Sequence, residues 1–175
     1  MALNDATNIQ LSLIDELTQQ LKQATIDHWL FGGWAVDFRV GKITRPHHDI
    51  DLVLWLEDAA RAREVLGTLG YLEEPPPAEE SHLHTHFSNQ GQQMDVMFIY
   101  PGADGGIYWA DWRWPDGAFS APVAQLDTVT CPAVSGECLL EAKEGYLRAE
   151  PDPEDREKCV LDIAVLRSRF SSDGE

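Results

Sequence analysis

The chain has 175 residues, of which 43% are hydrophobic, so it can bury one ordinary core and is too short for several large domains. Its 13 Lys and Arg against 30 Asp and Glu give a formal net charge of −17. This charge disfavours nucleic acid as a partner, because binding there depends on cationic contacts with phosphates, and it would attract a cationic small molecule. An acidic surface can also serve solubility alone.

The N-terminal residues lack the pattern of a signal peptide, and no apolar run approaches the roughly 18–20 residues of a membrane span. We therefore expect a cytoplasmic protein with no membrane partner. Cys131, Cys138 and Cys159 are odd in number, far apart and without a C-x-x-C pair. They predict buried or half-buried free thiols, with neither a disulfide framework nor a cysteine zinc site.

Hydrophobic spacing and turn residues define the elements in chain order. Leu residues and an Ile at helical spacing predict a first helix over 8–24. We then predict a strand over 28–31, a helix over 34–40, a strand over 50–55, a helix over 57–69, an exposed loop over 73–80, strands over 82–88 and 92–100, an aromatic segment over 108–114, an irregular or strand-like segment over 118–129, and two helices that begin after the capping residues Ser135 and Asp152 and end near 148 and 170.

This order predicts an α+β fold with a small mixed sheet, helices packed on it and a C-terminal helical part. We place the sheet-containing domain at residues 1–130 and the helical part at residues 131–175.

Three aspartates suggest a metal site. Asp49 and Asp51 begin a strand and, being two apart, point to the same face. Neighbouring carboxylates raise each other's pKa unless a positive charge neutralises them, and Mg²⁺ suits such oxygen ligands. Asp95 interrupts the apolar run 94–99, where an aspartate is costly unless it is paired or bound to metal. If the two strands adjoin, the three carboxylates could hold two Mg²⁺ for an in-line displacement.

Gly32 and Gly33 lie between a predicted strand and a predicted helix. Glycine permits close approach of the backbone, and N–H groups at a helix N-terminus can hold phosphate oxygens. Taken by itself, such a pair is more often a plain turn. The glycine pair indicates a phosphate-binding turn only in combination with the aspartates that follow it.

The segment Gly-Gly-Trp-x-x-Asp at 32–37, followed by Gly-x-x-Thr-Arg-x-His-x-Asp-Ile-Asp at 41–51, resembles the aminoglycoside and lincosamide nucleotidyltransferases of the polymerase-beta-like superfamily. Within that family it is most similar to the aminoglycoside 2''-O-nucleotidyltransferase type. The resemblance implies the polymerase-beta-like nucleotidyltransferase fold and an NTP co-substrate. It further implies that Asp49, Asp51 and Asp95 bind Mg²⁺, that Asp95 is the general base, and that Gly32 and Gly33 face the triphosphate.

The same resemblance suggests further nucleotide contacts. Arg45 could hold phosphate charge, or it could form a structural salt bridge with Asp37. His47 could contact the nucleotide, support the aspartates or make a local hydrogen bond. Glu154 occupies a position where relatives often carry Lys, so we take Lys143 as a substitute cation.

The aromatic segment over 108–114 is a candidate binding surface for the acceptor molecule. The aromatic segment could form a core or line an acceptor pocket, and we predict acceptor contacts from Trp109, Asp111, Trp112 and Asp37.

His82, His84 and His86 alternate along one strand face and could bind zinc, but no carboxylate or cysteine has matching spacing in the sequence. A solvent or cleft-lining face is the alternative, and near Asp95 one of these histidines could assist proton transfer.

Together with these patterns, the resemblance implies a Mg²⁺-dependent enzyme that moves an NMP, with AMP from ATP as our first expectation, to a hydroxyl of an aminoglycoside antibiotic and so confers resistance. A lincosamide acceptor is one alternative. A catalytically silent nucleotide-binding or antitoxin-like protein is another, although it would have no reason to keep three costly carboxylates together.

Overall fold

A computed structural model describes residues 5–75 and 82–170. Within them the elements are α1 (Asp5–Gln23), β1 (His28–Phe31), α2 (Gly32–Val40), β2 (Asp49–Trp55), α3 (Ala59–Thr68), β3 (Leu72–Glu74), β4 (His84–Asn89), β5 (Gln92–Pro101), β6 (Ile107–Trp109), β7 (Trp112–Arg113), β8 (Ala124–Leu126), β9 (Val129–Cys131), α4 (Gly136–Arg148) and α5 (Pro153–Phe170). The predicted combination of a mixed sheet with C-terminal helices is confirmed.

The main sheet has the strand order β1-β2-β5-β4-β3, and β6 and β7 extend it from the far end of β5. β2 and β5 run parallel, whereas β1 with β2, β4 with β5 and β3 with β4 are antiparallel. Hydrophobic residues of β2 and β5 are almost fully buried, among them Val53 and Val96. The central parallel pair therefore fixes the N-terminal ends of β2 and β5 side by side.

The helices form where capping and spacing predicted them. The α1 residues Leu11, Ile14, Leu17 and Leu21 are all buried, as an amphipathic helix requires. Ser135 caps α4 by accepting a hydrogen bond from the Cys138 N–H at 3.2 Å. In the same way, the Asp152 carboxylate accepts from the Asp155 N–H at 3.1 Å at the start of α5. Both predicted helix starts are confirmed.

One segment differs in part from the prediction, and another, predicted to be irregular or strand-like, contains a strand as that prediction allowed. The predicted loop over 73–80 begins with a short strand, because Leu72–Glu74 pairs with β4 and Glu73 receives hydrogen bonds from Arg63 and Thr85. The rest of that loop prediction, at 76–80, lies outside the described residues. The segment 118–129 contains β8, which forms a hairpin with β9.

The boundary that we placed between residues 130 and 131 falls within β9, and the division into two parts stays a prediction. The last five residues of the predicted helical part, 171–175, lie outside the described part of the chain. All three cysteines are buried and free, as predicted. None of the helices in 5–75 and 82–170 has the length and hydrophobicity needed to cross a membrane.

Candidate functional site

Three carboxylates meet at one end of the central strand pair. Asp51 is the register partner of Asp95 across the parallel β2–β5 pairing, and Asp49 precedes Asp51 on the same face. One carboxylate oxygen from each of the three residues lies within 4.8 Å of the other two. The two separate segments thus bring together the three aspartates that the sequence singled out.

Burial and crowding shift the pKa of two of these carboxylates, Asp49 and Asp51. Burial raises the pKa of Asp51 to about 7, and the charges of Asp49 and Asp95 add to the increase. Burial and the charge of Asp95 also raise the pKa of Asp49. A divalent cation would relieve this repulsion, so the donor set fits an oxygen-preferring ion. On its other side, Asp95 Oδ1 lies 2.5 Å from His86 Nδ1.

The glycine pair is required by the close approach of three side chains. Gly32 has φ +62°, and a Cβ there would lie 1.8 Å from Asp51 Oδ2. A Cβ on Gly33 would lie 2.4 Å from His47 Nδ1 and 2.5 Å from Arg45 Nη2. Both positions therefore exclude a side chain. They place the N-terminus of α2, with its unsatisfied N–H groups, directly against the aspartates.

A polar cleft opens over these glycines and encloses about 170 Å³. Its lining residues come from α2, the turn before β2, β2 itself, α4 and α5: Gly32, Gly33, Arg45, His47, His48, Asp49, Asp51, Lys143, Tyr146, Asp155, Lys158 and Cys159. The lining holds lysine and arginine side chains as well as carboxylates, which suits a ligand that carries both phosphates and a divalent cation.

The cations are held by a residue that the sequence analysis did not identify. Asp162 in α5 is completely buried and accepts hydrogen bonds from Arg45 Nε and Nη2, each at 3.0 Å. Lys143 Nζ lies 2.8 Å from the same carboxylate. Burial opposes the charged form of Asp162, but the hydrogen bonds and charges of Arg45 and Lys143 outweigh it and lower its pKa. An aspartate on the buried stripe of α5 was the available sequence signal.

The structural salt bridge that we weighed as an alternative for Arg45 is present, but the suggested partner, Asp37, is wrong, because Arg45 pairs with Asp162. The predicted acceptor contact of Asp37 is also wrong, since its side chain is fully enclosed. Asp37 accepts hydrogen bonds from the Thr44 N–H and hydroxyl at 3.0 and 2.5 Å, and it lies 2.6 Å from His47 Nε2. It therefore shapes the turn that leads into β2.

His47 makes the local contact that we weighed as one alternative. Its side chain is only 2% exposed, and its ring lies 4.7 Å from that of Trp34. Since it also lies beneath Gly33, its position is a supporting one. The predicted contact of His47 with nucleotide stays a prediction.

A second, more apolar cleft encloses about 560 Å³ on the other side of Asp51. Trp109 and Trp112, which are cross-strand partners in the β6–β7 hairpin, both line it. Asp111 is exposed in the turn of that hairpin and is not among the lining residues, so its predicted acceptor contact is not supported. Glu141 of α4 is the carboxylate that lines the cleft together with Asp51.

The two clefts share part of their lining, namely Gly32, Asp51, Lys143 and Tyr146. Asp51 therefore lies where a ligand in the polar cleft would meet a ligand in the aromatic cleft. This arrangement suits a reaction between two bound molecules at the aspartates.

Comparison with known proteins gives a consistent result. A family model described as aminoglycoside-2''-adenylyltransferase matches residues 13–159. A curated 2''-aminoglycoside nucleotidyltransferase from Escherichia coli is 34% identical over 142 residues, which cover 81% of this chain and 65% of that protein. A lincosamide resistance protein from Staphylococcus haemolyticus is 27% identical over 161 residues, covering 87% of this chain and 93% of the relative.

Solved structures show the same fold. The crystal structure of ANT(2'')-Ia in complex with adenylyl-2''-tobramycin superimposes with a TM-score of 0.72 at 22% identity and covers 95% of this chain and 99% of that one. Lincomycin-bound LnuA, a lincosamide antibiotic adenylyltransferase, gives a TM-score of 0.71 at 24% identity, with coverages of 95% and 100%. The predicted nucleotidyltransferase fold is therefore confirmed.

Proposed function

The chain belongs to the aminoglycoside-2''-adenylyltransferase family, and we propose that it transfers an NMP from an NTP to a hydroxyl group of an aminoglycoside. AMP from ATP is the expected group, because the family model and one structural relative, LnuA, are described as adenylyltransferases and another relative, ANT(2'')-Ia, was solved with adenylyl-2''-tobramycin. The match spans only about 65% of the length of the curated aminoglycoside relative. The activity is accordingly our proposal for this chain.

The single observation that carries the proposal is the position of Asp51 in both clefts. A nucleotidyl transfer needs the α-phosphorus of one substrate and a hydroxyl of another to meet in line, and positioning supplies much of the rate enhancement. The polar cleft offers cations and helix N–H groups for the triphosphate, whereas the aromatic cleft offers apolar surface for a sugar ring.

On the nucleotide side, Gly32 and Gly33 leave the start of α2 open to phosphate oxygens. Lys143 and Arg45 contribute positive charge at the cleft wall while Asp162 fixes their positions. Lys158 also lines the cleft, paired with Glu154 at 2.8 Å. It supplies a cation one helical turn beyond the position at which relatives often carry lysine.

Asp49, Asp51 and Asp95 are the residues that would hold Mg²⁺, because oxygens of the three carboxylates converge. Burial, together with the charge of neighbouring carboxylates, raises the pKa of Asp49 and of Asp51, as expected for a site that lacks a neutralising cation. When bound, Mg²⁺ would neutralise charge on the phosphates and on these carboxylates. Asp95 takes the proton of the acceptor hydroxyl, whose oxygen bonds to the α-phosphorus as the bond to the pyrophosphate oxygen breaks. His86, hydrogen-bonded to Asp95, orients that carboxylate.

The acceptor class follows from charge and from the relatives. A net charge of −17 favours a polycationic ligand, and Glu141 and Asp51 offer carboxylates within the aromatic cleft. A lincosamide is the second candidate, because this chain covers 93% of the lincosamide resistance protein but 65% of the aminoglycoside relative. A lincosamide has at most one positive charge, so it would use the aromatic wall more than the carboxylates.

The direct test incubates the full chain with Mg²⁺, each of the four NTPs and a panel of aminoglycosides and lincosamides, followed by mass spectrometry of the antibiotics. We expect one aminoglycoside class to gain the mass of one NMP with release of one pyrophosphate. Modification of lincosamides alone would favour the second candidate. Nucleotide binding without any product across the panel would instead support a catalytically silent protein.

A further inference from the structure

Two imidazoles stand beside Asp95 on the side opposite to Asp49 and Asp51. His86 is the register partner of Asp95 across the antiparallel β4–β5 pairing, and the rings of His84 and His86 are 4.6 Å apart. One ligand atom from each of His84, His86 and Asp95 lies within 4.8 Å of the other two. This group, the His–Asp cluster, is distinct in chemistry from the three carboxylates.

In the sequence, the three alternating histidines are the one sign of a zinc site, and no carboxylate has the spacing needed to complete it. In the structure His82 lies exposed before β4 begins, and Asp95 of the neighbouring strand takes the third position. Strand register thus provides the carboxylate that sequence spacing could not reveal.

We propose that the His–Asp cluster binds a transition-metal ion of the Zn²⁺ class. Two imidazoles and one carboxylate are a ligand set that zinc accepts, with the fourth position left to water or a further ligand. Imidazole favours Zn²⁺ over Mg²⁺, which prefers oxygen ligands. The two adjoining groups therefore select different ions although they share one residue.

The shared residue gives the cluster a functional consequence. Asp95 belongs both to the His–Asp cluster and to the three-carboxylate group. An ion ligated by His84 and His86 would hold the carboxylate that, in the proposed transfer, accepts the hydroxyl proton. Zinc should therefore inhibit the transfer. That consequence rests on the proposed function, whereas zinc binding itself requires neither nucleotide nor acceptor.

The test is equilibrium dialysis of the full chain against Zn²⁺ in the presence of excess Mg²⁺, with zinc measured by atomic spectroscopy. We expect one zinc ion per chain. His84→Gln and His86→Gln should each weaken zinc binding by at least about tenfold. His82→Gln is the matched control, since it removes an exposed imidazole outside the cluster, and it should bind zinc like the wild type.

Asp49→Asn separates the two groups, because it removes a carboxylate from the acidic group and leaves all three members of the His–Asp cluster in place. Zinc binding that persists in both histidine variants but is lost in Asp49→Asn would overturn the proposal and assign zinc to the acidic group. Failure of the wild type to retain zinc in excess Mg²⁺ would overturn it as well.

Co²⁺ provides a second measurement on the unmodified chain, which does not depend on variants that fold. We expect the visible absorption of a four- or five-coordinate Co²⁺ ion with nitrogen and oxygen ligands. The weak absorption of an octahedral ion, or a near-ultraviolet band from a thiolate ligand, would contradict binding at the His–Asp cluster.

Discussion

Asp51 and Asp95 are direct register partners on the parallel strands β2 and β5, although α3, β3 and β4 lie between them in the chain. Parallel pairing places both residues at the same end of the strand pair and on the same face. The acidic site therefore depends on one long-range register. A slip of one residue would turn one of the two carboxylates to the opposite face.

The first prediction concerns the proposed base. Asp95→Asn should lower kcat by roughly 10²- to 10⁴-fold, because the amide cannot take the acceptor proton at neutral pH. Circular dichroism and the melting temperature should remain close to those of the wild type. Asp127→Asn is the control, since Asp127 is exposed in the β8–β9 turn at φ +53°, a conformation that Asn also tolerates. Turnover retained in Asp95→Asn would remove this residue from its role.

The second prediction uses two glycines that share a positive φ but differ in their surroundings. Gly32→Ala would drive a methyl group into Asp51, whereas Gly41→Ala at φ +76° meets nothing within 4 Å. Both changes should cost about 1–2 kcal/mol of stability from the left-handed backbone. Only Gly32→Ala should also abolish transfer and weaken Mg²⁺ binding, as measured by calorimetry. Equal loss of activity in both variants would contradict a specific contact with Asp51.

These contacts show what sequence could reveal. Asp49 and Asp51 could be predicted as site residues from the sequence, because two carboxylates at i and i+2 in an apolar strand have few structural uses. The helix starts at Ser135 and Asp152 could also be predicted from the sequence, since capping is a local interaction. Each of these features is decided within a few residues of the chain.

The missed features are those fixed by tertiary packing. Asp162 pairs with Arg45 across 117 residues, a relationship that no local spacing indicates. Asp37 matched the family motif but is enclosed by Thr44 and His47, so it supports the turn and does not face a ligand. Trp109 and Asp111 are two apart, yet the hairpin turn directs only the former into the cleft.

The third prediction follows from the raised pKa of Asp51. Its folded-state value of about 7 lies above the ordinary value of 3.8, so between these values the folded chain holds a proton that the unfolded chain has released. Stability should therefore fall as pH rises through this window in the absence of divalent ions. Asn cannot ionise, so Asp51→Asn should raise the melting temperature relative to the wild type more at pH 8 than at pH 5.

Mg²⁺ should reverse that difference at pH 8, because it stabilises the ionised wild-type site and has less to bind in the variant. Differential scanning fluorimetry with and without Mg²⁺ at the two pH values measures both effects. A stabilisation by Asp51→Asn that is larger at pH 5 than at pH 8 would contradict the raised pKa.

The fourth prediction assigns a positioning role to Asp162. Asp162→Asn should raise the KM for NTP with a smaller change in the KM for the acceptor, because Arg45 and Lys143 lose the charge that orients them. Loss of these charge-assisted hydrogen bonds should cost about 2 kcal/mol of stability. The control is Glu144→Gln, which breaks the Arg167–Glu144 pair at the surface. That pair joins α4 to α5, as the Lys143–Asp162 pair does, and its loss should cost less than about 1 kcal/mol. Equal KM values for NTP in both variants would rule out a specific role.

The fifth prediction separates the two clefts kinetically. Trp112 lines only the aromatic cleft, and its ring centroid lies 4.4 Å from that of Trp114, which is buried. Trp112→Ala should remove apolar surface from the acceptor and raise the KM for the acceptor by about tenfold, the effect of roughly 1.4 kcal/mol, while the KM for NTP stays within twofold or so.

Trp55→Ala is the matched control for that measurement. Trp55 is also half-buried, but it lies at the far end of β2 from Asp49 and lines neither cleft. Its loss should lower stability through packing and leave both KM values near those of the wild type, because the β2 aspartates keep their register with β5. If Trp112→Ala raised the KM for NTP as much as that for the acceptor, the aromatic cleft could not be the acceptor side of Asp51.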